Sequence, residues 1–544
     1  MAGDDKKTLI VAGSALELLI EFSNNVVQSV ALNFPDSAEI VNKHAEAAGS
    51  ILFKDLQLGE AQSPLTKSLA PFAANFERLA VLDKLSVNPG LNLYEAVAGI
   101  YESLCRLHAW ELQKTREDPT AAAKGEEYLR NLVLCTKSGM PTMNAKGRVG
   151  MTLDYWKQRR LQPPLDPALA AWTEKNEQTW SILIGCASLG EIGVNPVRIS
   201  DKWIGPNIEK MALGDELHAG GPIIDWQEPE STFVPTPDPT KADPMQPDPS
   251  LLGPRLPDVV FHATFDPPVH IPATLWEQIQ TLGCSLDGPA LKDSATFDSL
   301  VLPYPPGKET VNGAPRTVLF SKKTPFVAPG ETKLSLKTHN TTLSIPKPIA
   351  SRTLTTMTFS HPQQLITVLP YLRQYAFLAT LLQTSLTQLP SNATRLVVRP
   401  NPSTTTTTTT PKPTKTITTT VDDYTAFLSP EQEQSQKEEQ QEEEPLSIDI
   451  TLTQSPTTVP RLRALFPFRG EQTADVTLEI RENGRVGVVA QDVLDLDAEG
   501  NVNMEGVAAA GGGRRQRRQE DVGGLLEACE DLGKWAEFIR SRWA

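Results

Sequence analysis

Seven histidines and five cysteines are the residues of this 544-residue chain best suited to metal or nucleophilic chemistry. Their spacing supports neither. His44, His108, His218, His262, His270, His339 and His361 show no pairing at metal-ligand intervals beside a carboxylate, and none sits in H-E-x-x-H. Cys105, Cys135, Cys186, Cys284 and Cys529 are far apart, odd in number and free of any C-x-x-C pair, which suggests neither a zinc site nor a disulfide framework and fits a reducing compartment. A phosphate loop needs glycines between a strand and a helix, with a lysine. Gly511-Gly512-Gly513 lies in a basic stretch instead, and Gly185 to Gly193 lacks the lysine. No G-x-S-x-G elbow occurs. The sequence therefore assigns no catalytic, cofactor-binding or metal residue and predicts a protein that is not an enzyme and needs no cofactor.

Two short motifs point toward binding. Leu378-Ala379-Thr380-Leu381-Leu382 matches L-x-x-L-L, a helical docking pattern, but it lies in a run apolar on most sides and is predicted to be core. Arg514-Arg515-Gln516-Arg517-Arg518 can be a nuclear-localisation signal, a weak nucleic-acid contact or a solvated linker. A formal charge of −15 argues against a nucleic-acid surface spanning the molecule, because phosphate binding needs a basic face. Trp156, Trp172, Trp180, Trp203 and Trp226 gather in one region, as core or interface anchors. The Met1 to Asp5 start carries no basic and apolar leader, and no apolar run is read as a membrane span, so a soluble intracellular protein is expected.

The elements that would position such residues follow from periodicity. Leu65, Leu69, Phe72, Phe76 and Leu79, then Leu93, Val97, Ile100, Leu104 and Leu107, step by four and three, which predicts an antiparallel helical pair turning at Ser86 to Gly90. Pro71 should kink the first helix or mark its first turn. Before the pair, Leu16 to Phe22 and Val30 to Phe34 alternate around Asn24-Asn25 as a hairpin, and a helix over 36–56, capped by Asp36 or Ser37, follows. After it come strands at Tyr128 to Leu134, Arg148 to Trp156, Trp180 to Cys186 and Val194 to Ile199. Farther on lie strands over 317–320, 333–338, 341–345 and 354–359, with a turn at His339-Asn340, and then a helix from Pro362 to Leu386 holding Pro370.

The organisation is α+β, in several small units with a repeated strand–strand–helix pattern. Residues 1–124 form a hairpin-helix unit plus the helical pair, 125–226 a β-rich region, 227–257 a Pro-rich linker and 258–400 a strand-helix region. Residues 401–445 form a disordered Thr/Glu-rich insert, 446–500 a β-hairpin region turning at Glu482-Asn483-Gly484-Arg485, 501–520 a flexible basic linker and 521–544 a C-terminal helix. The repeat rests on a shift of 160 residues that places Leu365 on Leu525, Leu372 on Leu532, Tyr375 on Trp535 and Ala376 on Ala536. Glu431 to Glu444 holds seven glutamates against one lysine and has little to bury.

Several strings together resemble the fungal form of the Mediator complex subunit 1 family: Gln62-Ser63-Pro64-Leu65-Thr66, Phe72 to Ser86, Gly90 to Leu104, Gly150 to Leu161, Arg198 to Ile204 and Asp225 to Pro229. The likeness covers residues 10 to 270 well and the rest loosely. It implies a nuclear, non-enzymatic subunit in the middle module of Mediator, a coactivator assembly that relays signals from DNA-bound activators to RNA polymerase II. The implied partners are other middle-module subunits, transcription activators and, indirectly, the polymerase machinery, with no sequence-specific nucleic acid and no membrane. The insert is not expected of the family, and no receptor-binding tail motif is present. The competing class is a cytoplasmic multi-unit scaffold or tether with unrelated partners.

Overall fold

The computed structural model describes residues 6–543 apart from 60–61, 89, 162–176, 191–193, 211–221, 236–254, 288–294, 304–314, 328–334, 387–443, 456–458, 471 and 494–511, and side chains over 512–518. Most of the Pro-rich linker and nearly all of the Thr/Glu-rich insert thus lie outside the described residues.

An antiparallel sheet opens the chain: β1 (Lys6–Ala12), β2 (Glu17–Ser23) and β3 (Val26–Asn33). The turn between β2 and β3 is as expected, with Asn24 and Asn25 at φ 51 and 62, the left-handed pair that a two-residue hairpin favours. Strand β1 was not foreseen. The predicted single helix over 36–56 is two, α1 (Glu39–Asn42) and α2 (Ala45–Leu56). Neither Asp36 nor Ser37 caps it; the Ala38 N–H ahead of α1 donates instead to Glu95 Oε1 at 2.8 Å. Gly49 lets α2 lie on β3, because a Cβ there would stand 2.8 Å from the Val30 carbonyl.

The helical pair is present as α3 (Ala70–Leu85) and α4 (Leu93–Arg116). Its second stripe holds in full: Leu93, Val97, Ile100, Leu104 and Leu107 are all buried. The first stripe is corrected. Leu65 and Leu69 are 97% and 54% exposed and precede the helix, which starts where Pro71 supplies a first-turn residue lacking an N–H to satisfy. The Asn92 side chain caps α4 by accepting from the N–H groups of Tyr94 and Glu95. After α5 (Pro119–Ala122) the chain forms α6 (Glu126–Thr136), not the strand expected through Leu132 and Leu134. Leu129 and Val133 are buried one turn apart, a helical spacing that the alternation of Leu132 and Leu134 had hidden.

The first six-stranded sheet has the order β10-β13-β9-β6-β5-β4, all antiparallel. It contains β4 (Met140–Ala145), β5 (Arg148–Lys157), β6 (Thr179–Ser188), β9 (Val259–Pro272), β10 (Ser285–Asp287) and β13 (Ser351–Phe359). A separate ribbon pairs β7 (Ile204–Lys210) with β8 (Ile223–Trp226). The expected strand at Val194 to Ile199 is irregular, with only the Val197 N–H donating to Val259. Two short helices, α7 (Ala273–Thr281) and α8 (Phe297–Val301), follow β9 and β10.

The second six-stranded sheet, β11-β12-β14-β15-β16-β17, is antiparallel except for the parallel pair β12–β14. Its strands are β11 (Arg316–Phe326), β12 (Ser335–Ile345), β14 (Leu446–Thr453), β15 (Arg461–Pro467), β16 (Thr473–Arg481) and β17 (Arg485–Gln491). No turn occurs at His339-Asn340: the two strands predicted around it are one, and His339 is buried in its middle opposite Lys322 and Leu446. The Asn483-Gly484 turn is as predicted, with both residues at positive φ.

Helix α9 (Pro362–Leu386) runs between the two sheets, touching β5, β9 and β13 of one and β11 and β16 of the other. Contrary to expectation, it is long and apolar enough to cross a membrane; 72% of its most apolar window is buried inside the protein, which marks it as the central core helix. The C-terminal helix is two, α10 (Gly512–Cys529) and α11 (Leu532–Trp543), broken at Glu530, whose φ is 49. The linker expected over 501–520 is helical from Gly512. One contiguous apolar core, from Leu16 to Ile539, joins the units.

Candidate functional site

Among the described residues the histidines are dispersed over separate elements. His108 Nδ1 faces the Gly139 carbonyl at 2.7 Å, His270 meets Thr353, and His339 stands 3.6 Å from Glu537. His361 sits between the rings of Trp203 and Trp226. His218 and Trp172 lie outside the described residues. No group of three or more His, Cys, Asp or Glu side chains suited to a metal occurs among the described residues. All five thiols are free, and burial pushes Cys284 up to about 12 and Cys529 up to about 11. Leu378, Leu381 and Leu382 of the L-x-x-L-L match are fully buried, as expected of a core helix. Trp156, Trp180 and Trp203 are buried. The side chains of Arg514 to Arg518 lie outside the described residues.

Two arrangements not foreseen from the sequence stand out. The first is a buried polar seam between the sheets. Arg373, on α9, donates to the carbonyls of Tyr155 (2.9 Å), Leu134 (2.9 Å) and Lys137 (2.5 Å) and to Asn483 Oδ1 (2.8 Å). Leu134 and Lys137 end α6, so the guanidinium satisfies orphan carbonyls at the negative pole of that helix. Burial nevertheless pulls Arg373 down to about 10. Arg160 lies against the Trp156 and Phe377 rings, donates to the Gly484 carbonyl at 2.8 Å, and pairs with Glu527 (3.2 Å) and Glu530 (3.4 Å). Burial raises the Glu530 carboxyl against the opposing pull of Arg160. The β16–β17 turn plugs into this seam. A Cβ on Gly484 would lie 2.6 Å from Trp156 and 2.9 Å from Phe377, and the residue has φ 63, so only glycine fits.

The second is a cleft of about 580 Å³ with β4, β5 and β6 as its floor and α6 as its wall. On β5, Arg148, Thr152 and Asp154 face it; the register then shifts between Asp154 and Trp156, which buries Trp156 and brings Lys157 to the cleft side. Glu127, Arg130, Asn131 and Leu134 line it from one face of α6, at helical intervals of three and four. Asp154 is held by Lys146 Nζ (2.7 Å) and the Ser181 hydroxyl (2.5 Å), and Arg148 pairs with Asp266. Burial raises the Glu177 carboxyl on the rim. Asn131 is buried, and its Nδ2 has no hydrogen-bond partner among the described residues. The cleft presents donors and both signs of charge. Reading α6 as a strand concealed this wall; the helical recurrence of Glu127, Arg130, Asn131 and Leu134 was the available signal.

No curated protein matches the chain as a relative. The family model described as Mediator of RNA polymerase II transcription subunit 1 matches residues 1–387, from β1 through the end of α9. That match takes in well over half of the sequence, including α6, the cleft and the Arg373 side of the seam. The chain belongs to the Mediator subunit 1 family and is a subunit of the nuclear Mediator complex, which regulates transcription by RNA polymerase II.

Proposed function

We propose that the chain works as a non-enzymatic scaffold in the middle module of a fungal-type Mediator, holding neighbouring subunits so that signals from DNA-bound activators reach RNA polymerase II. The family match over residues 1–387 carries this reading. The strings from Gln62 to Pro229 resembling the fungal form support its finer part. Its site of action is nuclear, its contacts are with protein, and no residue takes a catalytic, cofactor or metal role. A scaffold must hold its surfaces at fixed separations; the seam that ties α9, α6, β5 and the β16–β17 turn supports this, because each side is buried and hydrogen-bonded. The cleft beside α6 receives a polar segment of a neighbouring subunit. The acidic stretch 402–445 is a linker that assembly does not require.

Affinity purification of the tagged chain from nuclear extract, with mass spectrometry, tests the reading. Middle-module subunits should dominate in near-equal amounts, and a variant lacking 402–445 should bring down the same set. Cytoplasmic partners without Mediator subunits would overturn the proposal.

A further inference from the structure

The connection between α2 and α3 is a surface loop whose ends are tied together. The Lys67 ammonium donates to the Gln57 carbonyl at 2.7 Å, and between them Gly59 and Gln62 exchange two hydrogen bonds at 3.1 Å. At the tip stand Ser63, Pro64 and Leu65, all three exposed and Leu65 almost wholly so. A single 3-10 turn over Pro64–Thr66 follows Ser63 and buries no side chain, so the tip takes no share in the core.

The Ser63 hydroxyl accepts the Leu65 N–H at 3.4 Å, long for such a bond, and has no other partner among the described residues, which leaves its oxygen available as a nucleophile. Its backbone is extended, at φ −71 and ψ 137, and Pro64 holds it there, because a residue before proline is steered out of the helical region. An extended segment read in an enzyme cleft buries the amide that follows the acceptor, and proline has no N–H to leave unsatisfied at that position. Fitting a cleft also costs this tip little. Its turn holds two backbone bonds, from the Thr66 N–H to the Ser63 carbonyl at 3.0 Å and from the Lys67 N–H to the Pro64 carbonyl at 3.4 Å.

The dipeptide alone does not select this site. Ser-Pro or Thr-Pro also occurs at Thr236, Thr324, Thr410, Ser429 and Ser455. Thr324 is buried in β11, and each of the others lies, in whole or at its proline, outside the described residues.

We propose that Ser63 is a phosphorylation site for a proline-directed serine/threonine protein kinase. Its Oγ attacks the γ-phosphorus of ATP, the bond to the β,γ-bridging oxygen breaks, ADP leaves, and the hydroxyl proton passes to the base of the kinase. The product turns a neutral tip into one of about −2 charge at pH 7 and adds three acceptor oxygens beside Leu65.

Incubation of the folded full-length chain with γ-labelled ATP and a proline-directed serine/threonine kinase, followed by site-resolved mass spectrometry, tests the proposal. Ser63 should take up label, and the buried Thr324 should stay about tenfold or more below it. Pro64→Ala, altered at an exposed side chain, should keep its melting temperature and lower labelling of Ser63 by about tenfold or more. The Ser63 phosphopeptide should also be present in chain purified from growing cells under phosphatase inhibition. A folded chain left unlabelled at Ser63, or labelled there only after unfolding, would overturn the proposal, as would equal labelling of the Pro64→Ala variant. A Ser63 peptide modified in the test tube and always unmodified in cells would mark an adventitious acceptor, against the proposal. Each of these results leaves the subunit reading untouched.

Discussion

The Arg373 Nε–H donates to the main-chain carbonyl of Tyr155 at 2.9 Å, joining the central helix α9 to the C-terminal part of β5 across 218 residues of sequence. Among the described residues no carboxylate forms an ion pair with this guanidinium. Its charge is balanced by the carbonyl end of α6 and by Asn483 at the β16–β17 turn, so one side chain holds three elements from distant parts of the chain.

Replacing Arg373 leaves the buried carbonyls of Tyr155 and Leu134, and the partly buried Lys137 carbonyl and Asn483 Oδ1, without this donor. At about 1–3 kcal/mol for each unsatisfied group, partly relieved by relaxation, Arg373→Met should destabilise by about 4 kcal/mol in urea unfolding. Arg373→Lys retains charge but not the planar fork and should recover less than half of that. A loss under about 1 kcal/mol for the methionine variant would mean that the seam is not held by these bonds.

Glu530 tests the other half of the seam. Its carboxylate receives the Arg159 N–H at 2.9 Å and pairs with the buried Arg160. Glu530→Ala would leave Arg160 with Glu527 as its remaining carboxylate, a deficit of about 3 kcal/mol for a broken buried pair. Helices α10 and α11 should then be clipped first in limited proteolysis, and a cleavage pattern identical to the parent would refute the account.

The amphipathic elements were legible in the sequence, and the long-range seam was not. The stripe from Leu93 to Leu107 and the Asn483-Gly484 turn needed only local rules of period and turn chemistry. That the same turn is buried against Trp156 and Phe377 could not be read, because nothing local to Glu482 to Arg485 marks a partner 328 residues upstream of Gly484. Likewise His339-Asn340 is polar and turn-like by type. It lies within a strand because flanking strands satisfy its backbone and because Glu537 comes within 3.6 Å of the buried ring. At α6 the failure was of another kind: the helical spacing was present and a short alternation outweighed it. The cleft was lost with it.

The L-x-x-L-L match separates core from docking roles. Leu381 is fully buried on α9. Leu381→Ala should cost about 2–5 kcal/mol through lost burial and the cavity left behind. A variant of unaltered melting temperature with weakened partner capture would show instead that this face docks a partner.

Asn131 links stability to binding at the cleft. With its Nδ2 buried and without a partner among the described residues, Asn131→Leu should leave the isolated chain as stable or raise its stability by about 1 kcal/mol. If the amide serves a neighbouring subunit, the same variant should enter Mediator less well in competition with the parent. Equal incorporation would remove the cleft from the proposed contacts.

His361 predicts a pH response whose sign follows from its two hydrogen bonds. Its Nε2–H donates to the Gln227 carbonyl at 2.9 Å while Nδ1 accepts the Gln363 N–H at 3.0 Å, so the folded state holds the neutral ring. Burial keeps its pKa below 6.5, outweighing the upward pulls of the Gln227 carbonyl and Glu228. As pH falls through 6.5 the unfolded chain gains a proton that the folded ring resists, and stability is lost until the folded pKa is reached. His44, His108 and His270 are lowered in the same direction by burial, so the contribution must be isolated by difference. His361→Gln keeps a donor for Gln227 and cannot titrate. Between pH 7.5 and 5.5, urea unfolding should show the parent losing more stability than this variant, by up to about 1.4 kcal/mol per pH unit within the window. Parallel curves would mean that the ring takes up its proton equally well in both states, and that the Gln363 bond does not hold it neutral.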